Sequence, residues 1–279
     1  MIEVVLALVI WGLAWWANIR LAAHGATRIL RFAVPVIFGL TIIVMWELLV
    51  RGLNVPGVIL PPPSAIAATF AGSLEILWVD LLETFVKGAL SGYVIGCGSA
   101  ILFAILTDRS TFLKRGLLPL GNVFSALPII GTAPIFVMWY GFGWQSKAAV
   151  VVAMTFFPML VSTVQGLQAS GSMQRDILRT YGSSYWQTLI KLRIPSAMPS
   201  VFNGLKICTT LSLIGAIVAE FFGSPIRGMG FRISTEVGRL ALDLVWAEIV
   251  LAAIIGCSFY GLVAAIDNRV SFWHPSRRP

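Results

Sequence analysis

Long apolar segments are the feature that most constrains how this chain can fold. Seven of them recur along the sequence, at about 3–18, 30–50, 84–107, 116–140, 148–167, 204–223 and 245–266. A helix of roughly 20 apolar residues crosses the ~30 Å hydrocarbon core of a bilayer. Charged residues make up only 11% of the chain, against about a quarter in soluble domains. Because the segments are continuously apolar rather than alternating, the sequence predicts an all-α, polytopic transmembrane helical bundle and not a β-barrel.

The first apolar segment raises the question of a signal peptide. Such peptides carry positive charge before their apolar core, whereas here Glu3 precedes the core and Arg20, Arg28 and Arg31 follow it. We therefore expect a retained N-terminal helix whose N-terminus lies outside the cell. An interfacial or a cleaved segment is the alternative.

The distribution of Lys and Arg predicts the side of the membrane on which each loop lies. The formal net charge of +8 would indicate nucleic-acid binding in a soluble chain. Here most basic residues lie in the loops on one side of the membrane, and we expect no nucleic-acid partner. Thirteen basic residues share a side with the segment 175–199: Arg20, Arg28, Arg31, Arg109, Lys114, Arg115, Arg175, Arg179, Lys191, Arg193, Arg269, Arg277 and Arg278. Five lie on the other side: Arg51, Lys147, Arg227, Arg232 and Arg239. Since short cytoplasmic loops are enriched in Lys and Arg, that segment and the C-terminus are predicted to be cytoplasmic.

The segment between residues 55 and 80 is predicted to lie outside and combines rigid turns with a short helix. Prolines and a glycine in residues 55–63 are typical of tight turns. Ser64 is predicted to open a helix from Ala65 to Leu77 at the membrane surface. The segment is either a plain connector or part of a docking surface for an extracytoplasmic partner.

Small residues recur at helical spacing inside one predicted span. Gly88, Gly92 and Gly96 lie four residues apart and therefore share one face of a helix. Small residues at this spacing allow two helix backbones to approach closely in a membrane. We expect this face to pack within the chain rather than to form a dimer seam.

Prolines interrupt two further spans and indicate bent helices around a pathway. Pro128 and Pro134 lie on either side of Gly131, and Pro158 interrupts the next apolar segment. In lipid, such breaks are tolerated where protein or a water-filled cavity covers the freed carbonyl groups. Six residues near these breaks are the candidate pathway lining: Pro128, Pro134, Met138, Trp139, Phe156 and Phe157. Packing or lipid contact is the alternative role for the four non-proline side chains.

Glu220 is a further candidate for the pathway region, because ionisable groups at membrane depth are costly and often functional. Glu220 and Glu248 lie deep in predicted spans, but two acids do not form a proton relay. We expect Glu220 to hold an outer gate region together or to pair with the turn between Gly223 and Gly230.

The sequence contains no motif for catalysis or for a cofactor. It has no GxxxxGK[ST] phosphate loop, no HExxH, no CxxC and no GxSxG. Its cysteines, Cys97, Cys208 and Cys257, all lie in apolar segments, where they are expected to pack as small hydrophobes. His24 and His274 are predicted near the cytoplasmic surface. We therefore expect no enzyme, no metal site and no cofactor in this chain.

The polar segment between the fifth and sixth apolar runs, residues 169–200, is predicted to form two short arms, and we call it the elbow. Gly182 can adopt a positive φ and join two helices at a sharp angle. Ser183 or Ser184 is predicted to cap the second helix, from Tyr185 to Lys191. Pro195 and Pro199 are predicted to end that helix and redirect the chain towards the membrane. The alternative is a basic loop that lies on anionic lipid.

The spacing of the elbow resembles the cytoplasmic signature of permease subunits of binding-protein-dependent ABC importers. That signature is Glu-Ala-Ala, three residues, Gly, nine residues, then Ile-x-Leu-Pro. Gly182 is followed after nine residues by Leu-Arg-Ile-Pro at 192–195, and Asp176 stands where the family has Glu. Ile177 and Leu178 replace the two alanines, which is a departure from the pattern.

Further motifs extend the resemblance to about residues 30–270 and to the nitrate, sulfonate and taurine branch of these permeases, which also serves some pyrimidine and vitamin precursors. The matching stretches are Leu-Pro-Pro-Pro at 60–63, Ala-Leu-Pro at 126–128 with Ala-Pro at 133–134, Trp-Tyr-Gly-Phe-Gly at 139–143, Phe-Phe-Pro at 156–158, and Ala-Glu at 219–220 with Gly-Met-Gly at 228–230. Their order and spacing carry the resemblance more than any one motif.

The resemblance implies a type I ABC importer permease core of six helices plus an extra N-terminal helix. Residues 1–29 would form that extra helix and a basic loop, 30–270 the permease domain with the coupling loop 169–200, and 271–279 a basic cytoplasmic tail. Seven elbow residues would couple the chain to an ATPase: Arg175, Asp176, Arg179, Gly182, Ser183, Trp186 and Pro195.

The same resemblance implies a set of partners for a protein of the bacterial inner membrane. A cytoplasmic ABC ATPase dimer would carry ATP and Mg, an extracytoplasmic solute-binding protein would deliver a small solute, and a second, identical permease copy would lie beside this one in membrane lipid. The main rival is a secondary transporter driven by an ion gradient, which would be expected to show an inverted repeat and buried ion ligands. A membrane-embedded enzyme and a structural scaffold are further alternatives.

Overall fold

The computed structural model describes residues 2–23, 28–110, 112–113, 115–116, 129–223 and 226–273, with only the backbone described at 2, 22–23, 28–32 and 129–130. Within these residues all regular structure is helical, as predicted. The α-helices are α1 (Ile2–Ala23), α2 (Arg28–Gly52), α3 (Pro63–Gly72), α4 (Leu74–Leu81), α5 (Ser91–Arg109), α6 (Ile129–Tyr140), α7 (Trp144–Gln168), α8 (Ser172–Thr180), α9 (Tyr185–Thr188), α10 (Ile194–Phe222), α11 (Met229–Gly238) and α12 (Leu242–Val270). Two π-helical segments, Leu82–Leu90 and Leu189–Arg193, join α4 to α5 and α9 to α10.

Six stretches of the described residues are long and apolar enough to cross a membrane. They are Glu3–Leu21, Ala33–Gly52, Leu74–Arg109, Trp144–Gln168, Tyr185–Phe222 and Leu242–Val270. Each overlaps one predicted span. The remaining predicted span, 116–140, falls partly on residues 117–128, outside the described residues, and its described part contains α6.

The predicted end of the helix at Pro195 and Pro199 is wrong. The chain stays helical from Tyr185 to Phe222, with Pro195 in the first turn of α10 and Pro199 inside that helix. Proline has no N–H to donate and its ring crowds the preceding turn, so within a continuous helix it requires a local change in backbone geometry. The π-helical turn Leu189–Arg193 comes directly before and provides the local change in backbone geometry that proline requires.

The predicted surface helix from Ala65 to Leu77 is in fact two helices, α3 and α4, which meet at Ser73. The first begins at Pro63, ahead of Ser64. The Ser64 amide and hydroxyl donate to the two carboxylate oxygens of Glu47, at 2.9 and 2.7 Å. A carboxylate at this position satisfies free N–H groups of the first turn and complements the helix dipole.

The described chain divides into two compact units. The first contains residues 1–76 and 233–249. In it α1 packs on α2 at small residues, because Ala7 is fully buried and a Cβ added to Gly52 would lie 3.0 Å from Glu3 and Val4 side-chain atoms. The other faces of α1 expose large apolar side chains, among them Leu8, Trp11, Leu13, Trp15 and Trp16. Such exposure suits a helix in lipid.

The second unit contains residues 77–232 and 250–279. Its core is built by α5, α7, α10 and the later part of α12, through buried residues such as Tyr93, Cys97, Met159, Leu160, Cys208 and Phe259.

The glycine-lined face of α5 lies on α7. A Cβ on Gly92 would lie 2.5 Å from the Val151 side chain, and one on Gly96 would collide with Thr155. A Cβ on Gly88 would meet Ala216 and Lys147 at 3.4 Å. The glycine spacing therefore serves packing within this unit.

Candidate functional site

The elbow has the two arms that the sequence predicts, and Gly182 joins them. The first arm is α8, and the second begins with α9. Gly182 has a φ of 71°, a value that strains residues with a Cβ, and its N–H donates to the Arg179 carbonyl at 2.9 Å. Ser184, rather than Ser183, caps α9: its hydroxyl accepts from the Gln187 N–H at 3.3 Å, and Gln187 accepts from the Ser184 N–H at 2.8 Å.

The second arm is braced against the ends of α5 and α7. The Arg193 guanidinium donates to both oxygens of Asp108, at 2.5 and 2.6 Å, and to the Leu167 carbonyl at 3.0 Å. The Tyr185 hydroxyl donates to the same Asp108 carboxylate at 3.0 Å. A bidentate Arg–carboxylate pair fixes orientation as well as distance. The second arm of the elbow is therefore held at a defined angle to the helices behind it.

The outer surface of the elbow is rich in exposed apolar side chains. Its first arm, α8, contains no buried residue. Five large apolar residues are between 50% and 85% exposed: Met173, Ile177, Tyr181, Trp186 and Ile190. Leu189, by contrast, is buried against Leu167 and Ala197 and anchors the second arm. Clustered exposed apolar residues rimmed by charge are typical of an interaction surface.

The structure brings four of the seven predicted coupling residues together. Arg175, Asp176, Arg179 and Ser183 line a pocket of about 410 Å³ between the arms, together with Ser172, Tyr185, Thr188 and Arg193. Trp186 lies outside this pocket, where the Arg109 guanidinium sits 5.9 Å from its ring centroid. Gly182 is the joint, and Pro195 lies further along the helix, in α10.

The predicted pathway residues separate into two groups. Met138 and Trp139 on α6 are 83% and 72% exposed, and the same helix contains Pro134. Phe156 and Phe157 are partly buried against the core of the second unit, with ring centroids 5.1 Å apart. Pro128 lies outside the described residues.

Glu220 is the centre of a buried ion cluster that the sequence only partly predicts. Its carboxylate accepts from Lys147 Nζ at 2.8 Å, from the Thr84 hydroxyl at 2.9 Å and from the Gly230 N–H at 2.8 Å. Glu220 is 1% exposed and Lys147 is fully buried. The last of these contacts is the predicted pairing with the turn after α10.

The cluster extends to two further carboxylates. Glu83 lies 3.4 Å from Lys147 and 2.6 Å from Lys87. Asp80 accepts from the Gly228 N–H at 2.6 Å and from Arg232 Nε at 2.9 Å. We use the name buried ion cluster for these three acids and three cations, which are Asp80, Glu83, Glu220, Lys87, Lys147 and Arg232. The formal charges cancel, and hydrogen bonds join α4, the first π-helical segment, α7, α10 and the start of α11.

Sequence reasoning missed Lys147 in the cluster and Asp108 in the elbow. The sequence predicts Lys147 to be an outer loop residue, although it stands at the edge of an apolar segment. The available signal is the pair of opposite charges, Lys147 beside one predicted span and Glu220 inside another, since a charge inside a span requires a partner. Asp108 carries no comparable signal, because an acid at the end of a span is normally solvated.

Residues 92–272, well over half of the chain, match the family described as binding-protein-dependent transport system inner membrane component. The chain belongs to this family. It is a permease of the type I ABC importers for small solutes, and it is a multi-pass inner-membrane protein. The matched region includes the elbow and the later part of the buried ion cluster and leaves α1 outside.

Relatives of this permease cover most of its length. A probable ABC transporter permease protein of Haemophilus influenzae is 29% identical over 83% of this chain and 94% of its own length. The formylaminopyrimidine transport permease protein ThiX of Halalkalibacterium halodurans is 29% identical over 86% of this chain and 95% of its own length. The taurine transport system permease protein TauC of Escherichia coli is 27% identical, with coverages of 77% and 80%.

A solved structure shares the fold of this permease. The MetNI methionine ABC transporter, in an inward-facing conformation, matches with a TM-score of 0.55 and 21% identity. The match covers 71% of this chain and 95% of the other. At this level of identity the likeness concerns the fold, which is the one that the elbow signature predicts.

Proposed function

We propose that this permease imports a small solute at the expense of ATP hydrolysed by a cytoplasmic ATPase dimer, which binds the elbow and carries the ATP and Mg. The observation that carries the proposal is the geometry of the elbow. Its apolar side chains are exposed, yet the ion pair between Arg193 and Asp108 fixes its second arm to α5. A surface that is both exposed and braced suits the transmission of force from a soluble partner.

The helical continuity behind the elbow supplies a route for that force. Tyr185–Phe222 is an unbroken helical stretch of 38 residues, which is about 55 Å at ~1.5 Å per residue. Arg193 fixes one end of it to α5 and α7, and Glu220 fixes the other end to α7 through Lys147. Displacement of the elbow would therefore move the far end of α10 as well, which alternating access requires.

The orientation follows from the same elements. The elbow and the C-terminus face the cytoplasm, and the buried ion cluster lies towards the outer side. The excess of Lys and Arg on the elbow side supports this orientation. A solute-binding protein would then deliver solute to the face that carries the turn Gly228–Gly230.

The solute is proposed to be a small nitrate-, sulfonate- or taurine-like anion, or a pyrimidine or vitamin precursor. The relatives named for taurine and formylaminopyrimidine transport support these classes. The pathway would form beside a second, identical copy, and the exposed Met138 and Trp139 are the candidates to line it. Two copies would supply two elbows to an ATPase dimer.

An ion-driven secondary transporter is the weaker reading. In the described second unit the deep acids Asp80, Glu83 and Glu220 are all neutralised by Lys or Arg. Such a charge-balanced cluster leaves these carboxylates no open position for a coupling cation. The braced elbow would also have no role in a transporter without an ATPase.

The test is Gly182→Val, with Gly182→Asn as the matched control. Valine tolerates a φ of 71° poorly, whereas Asn adopts this region readily, and no neighbouring atom obstructs a Cβ at this position. We expect the valine variant to insert into the membrane but to lose ATP-dependent uptake and ATPase co-purification, and the asparagine variant to retain both. Uptake without ATP or an ATPase, in liposomes that contain the chain alone, would contradict the proposal.

A further inference from the structure

The pocket between the two arms of the elbow is a candidate binding site in its own right. It has a volume of about 410 Å³, which is enough for a side chain or a small ion. Its lining is almost entirely polar or charged. Arg175 and Arg179 enter it from α8, one helical turn apart, and Ser183, Tyr185 and Thr188 lie on the opposite side.

The cations of this pocket are not balanced within the described chain. Arg193 is paired with Asp108, so its charge is already neutralised. Neither Arg175 nor Arg179 belongs to an ion pair among the described residues, and Asp176 is the one acid in the lining. The pocket therefore has a net positive charge. An anionic group would be attracted to it.

The geometry favours a carboxylate. Two guanidinium groups on one helical face can hold a carboxylate through charge-assisted hydrogen bonds, which are short and strong. The hydroxyls of Ser183 and Thr188 contact each other at 2.9 Å and make the opposite wall of the pocket polar. The site is thus suited to an Asp or Glu side chain that enters between the arms.

The surroundings of the pocket favour a protein over a lipid as the source of this carboxylate. The first arm, which carries both arginines, contains no buried residue. The rim of the elbow exposes Met173, Tyr181 and Trp186, and methionine and aromatic side chains are enriched in protein interfaces.

We propose that the pocket receives an acidic side chain of the cytoplasmic ATPase and so fixes the register in which the ATPase docks on the elbow. This inference rests on the proposed function, because it assumes that an ATPase binds here. It goes further in assigning a chemical identity to the contact. The apolar rim would supply contact area, and the two arginines would supply specificity.

A crosslinking experiment tests the acidic partner directly. In the assembled transporter, Arg179→Lys places a primary amine in the pocket, and Lys191→Arg removes the native amine of the elbow. A water-soluble carbodiimide activates a nearby carboxylate, the lysine amine displaces it to form an amide, and the carbodiimide leaves as its urea. We expect mass spectrometry to find the amide between position 179 and an Asp or Glu of the ATPase. Its absence, or an amide only to Asp176 of the same chain, would overturn the proposal.

Charge reversal provides the second test. We expect Arg175→Glu with Arg179→Glu to weaken the binding of the cognate ATPase at least about tenfold. Lys191→Glu, an exposed control on the elbow outside the pocket lining, is expected to change it less than about threefold. Reduced binding of phosphatidylglycerol by the detergent-solubilised double variant, with unchanged ATPase binding, would assign the pocket to lipid and overturn the proposal.

Two further variants separate this inference from the proposed function. Trp186→Ala and Gly182→Val leave the pocket arginines in place but alter the rim and the joint of the elbow. If these variants weaken ATPase binding and the arginine variants do not, the elbow docks the ATPase without the acidic contact. If none of them weakens it, the elbow is not the docking surface at all.

Discussion

The elbow and the buried ion cluster are both rich in charge, but they use charge in opposite ways. In the cluster, three acids and three cations neutralise one another, and Lys147, Asp80 and Glu220 are almost completely buried. In the elbow, Arg175 and Arg179 belong to no ion pair of the described chain, and Arg179 is exposed. Charges buried inside a membrane protein need oppositely charged partners from the same chain. Charges on a docking surface are solvated by water until a second protein supplies a partner.

The energetic consequence is a difference in what each charge can do. A buried pair adds little stability by itself, because desolvation offsets the attraction, but removal of one member leaves the other charge unpaired. An exposed cation has no such effect on folding, since water solvates it. Substitutions in the cluster should therefore change the stability of the permease, and substitutions on the elbow surface should change its binding.

The largest effect is expected for Lys147→Met. This change leaves the Glu220 carboxylate, whose side chain is fully buried, without its cation. We expect a loss of about 3–5 kcal/mol of folding stability, measured as a lower thermal unfolding midpoint in detergent.

The matched control is Lys147→Met combined with Glu220→Gln. The amide oxygen that the second substitution introduces can still accept from the Gly230 N–H, and no bare charge remains. The double variant should recover most of the lost stability. If Lys147→Met alone is as stable as the wild type, water reaches Glu220. The charges of the buried ion cluster would then be solvated like those of the elbow.

An intermediate effect is expected for Asp108→Asn, which links the two kinds of site. Asp108 is largely buried, yet its role is to orient Arg193 and Tyr185 behind the exposed elbow. The amide loses the charge of the bidentate pair, so the second arm should loosen by about 1.5–3 kcal/mol of interaction. We expect weaker ATPase binding with a smaller loss of stability than for Lys147→Met.

Quantitative co-purification with the ATPase, together with the unfolding midpoint, distinguishes the outcomes. Lys206 and Asp267 form a comparable ion pair, at 3.1 Å, which joins α10 to α12 instead of bracing the elbow. Asp267→Asn is therefore the control. If both asparagine variants weaken ATPase binding equally, the brace has no special part in positioning the elbow.

The sequence predicted the features that depend on local pattern. Apolar length identifies the spans, and the spacing around Gly182 identifies the joint, because a sharp turn between helices calls for glycine. The fold class followed from the same pattern. The division of the chain into an N-terminal helix, a permease domain and a tail, at residues 29 and 270, remains a prediction. The coupling role of the elbow also remains a prediction.

The sequence did not predict the features that depend on distant residues. Arg193 and Asp108 are 85 residues apart, and Lys147 and Glu220 are 73 apart. No local pattern links such pairs, and the sequence therefore places Lys147 in an outer loop. The prediction for Pro195 is wrong for a related reason: whether proline ends a helix depends on the turn before it, which here is π-helical.

The smallest effect is expected for Arg239→Gln. This variant tests whether burial, and not ion pairing alone, determines how much folding stability is lost when a charge is removed. Arg239 and Glu236 form an ion pair at 3.0 Å, like those of the cluster, but the Arg239 side chain is 68% exposed. Water and salt screen such a pair, so its loss should cost less than about 1 kcal/mol. The measurement is the unfolding midpoint at low and high salt, where any small difference from the wild type should vanish as salt rises. A loss as large as that of Lys147→Met would mean that Glu236, which is 6% exposed, behaves as a buried charge that needs its partner. The cost of removing a charge would then depend on whether its partner is left buried, and not on the exposure of the side chain that is replaced.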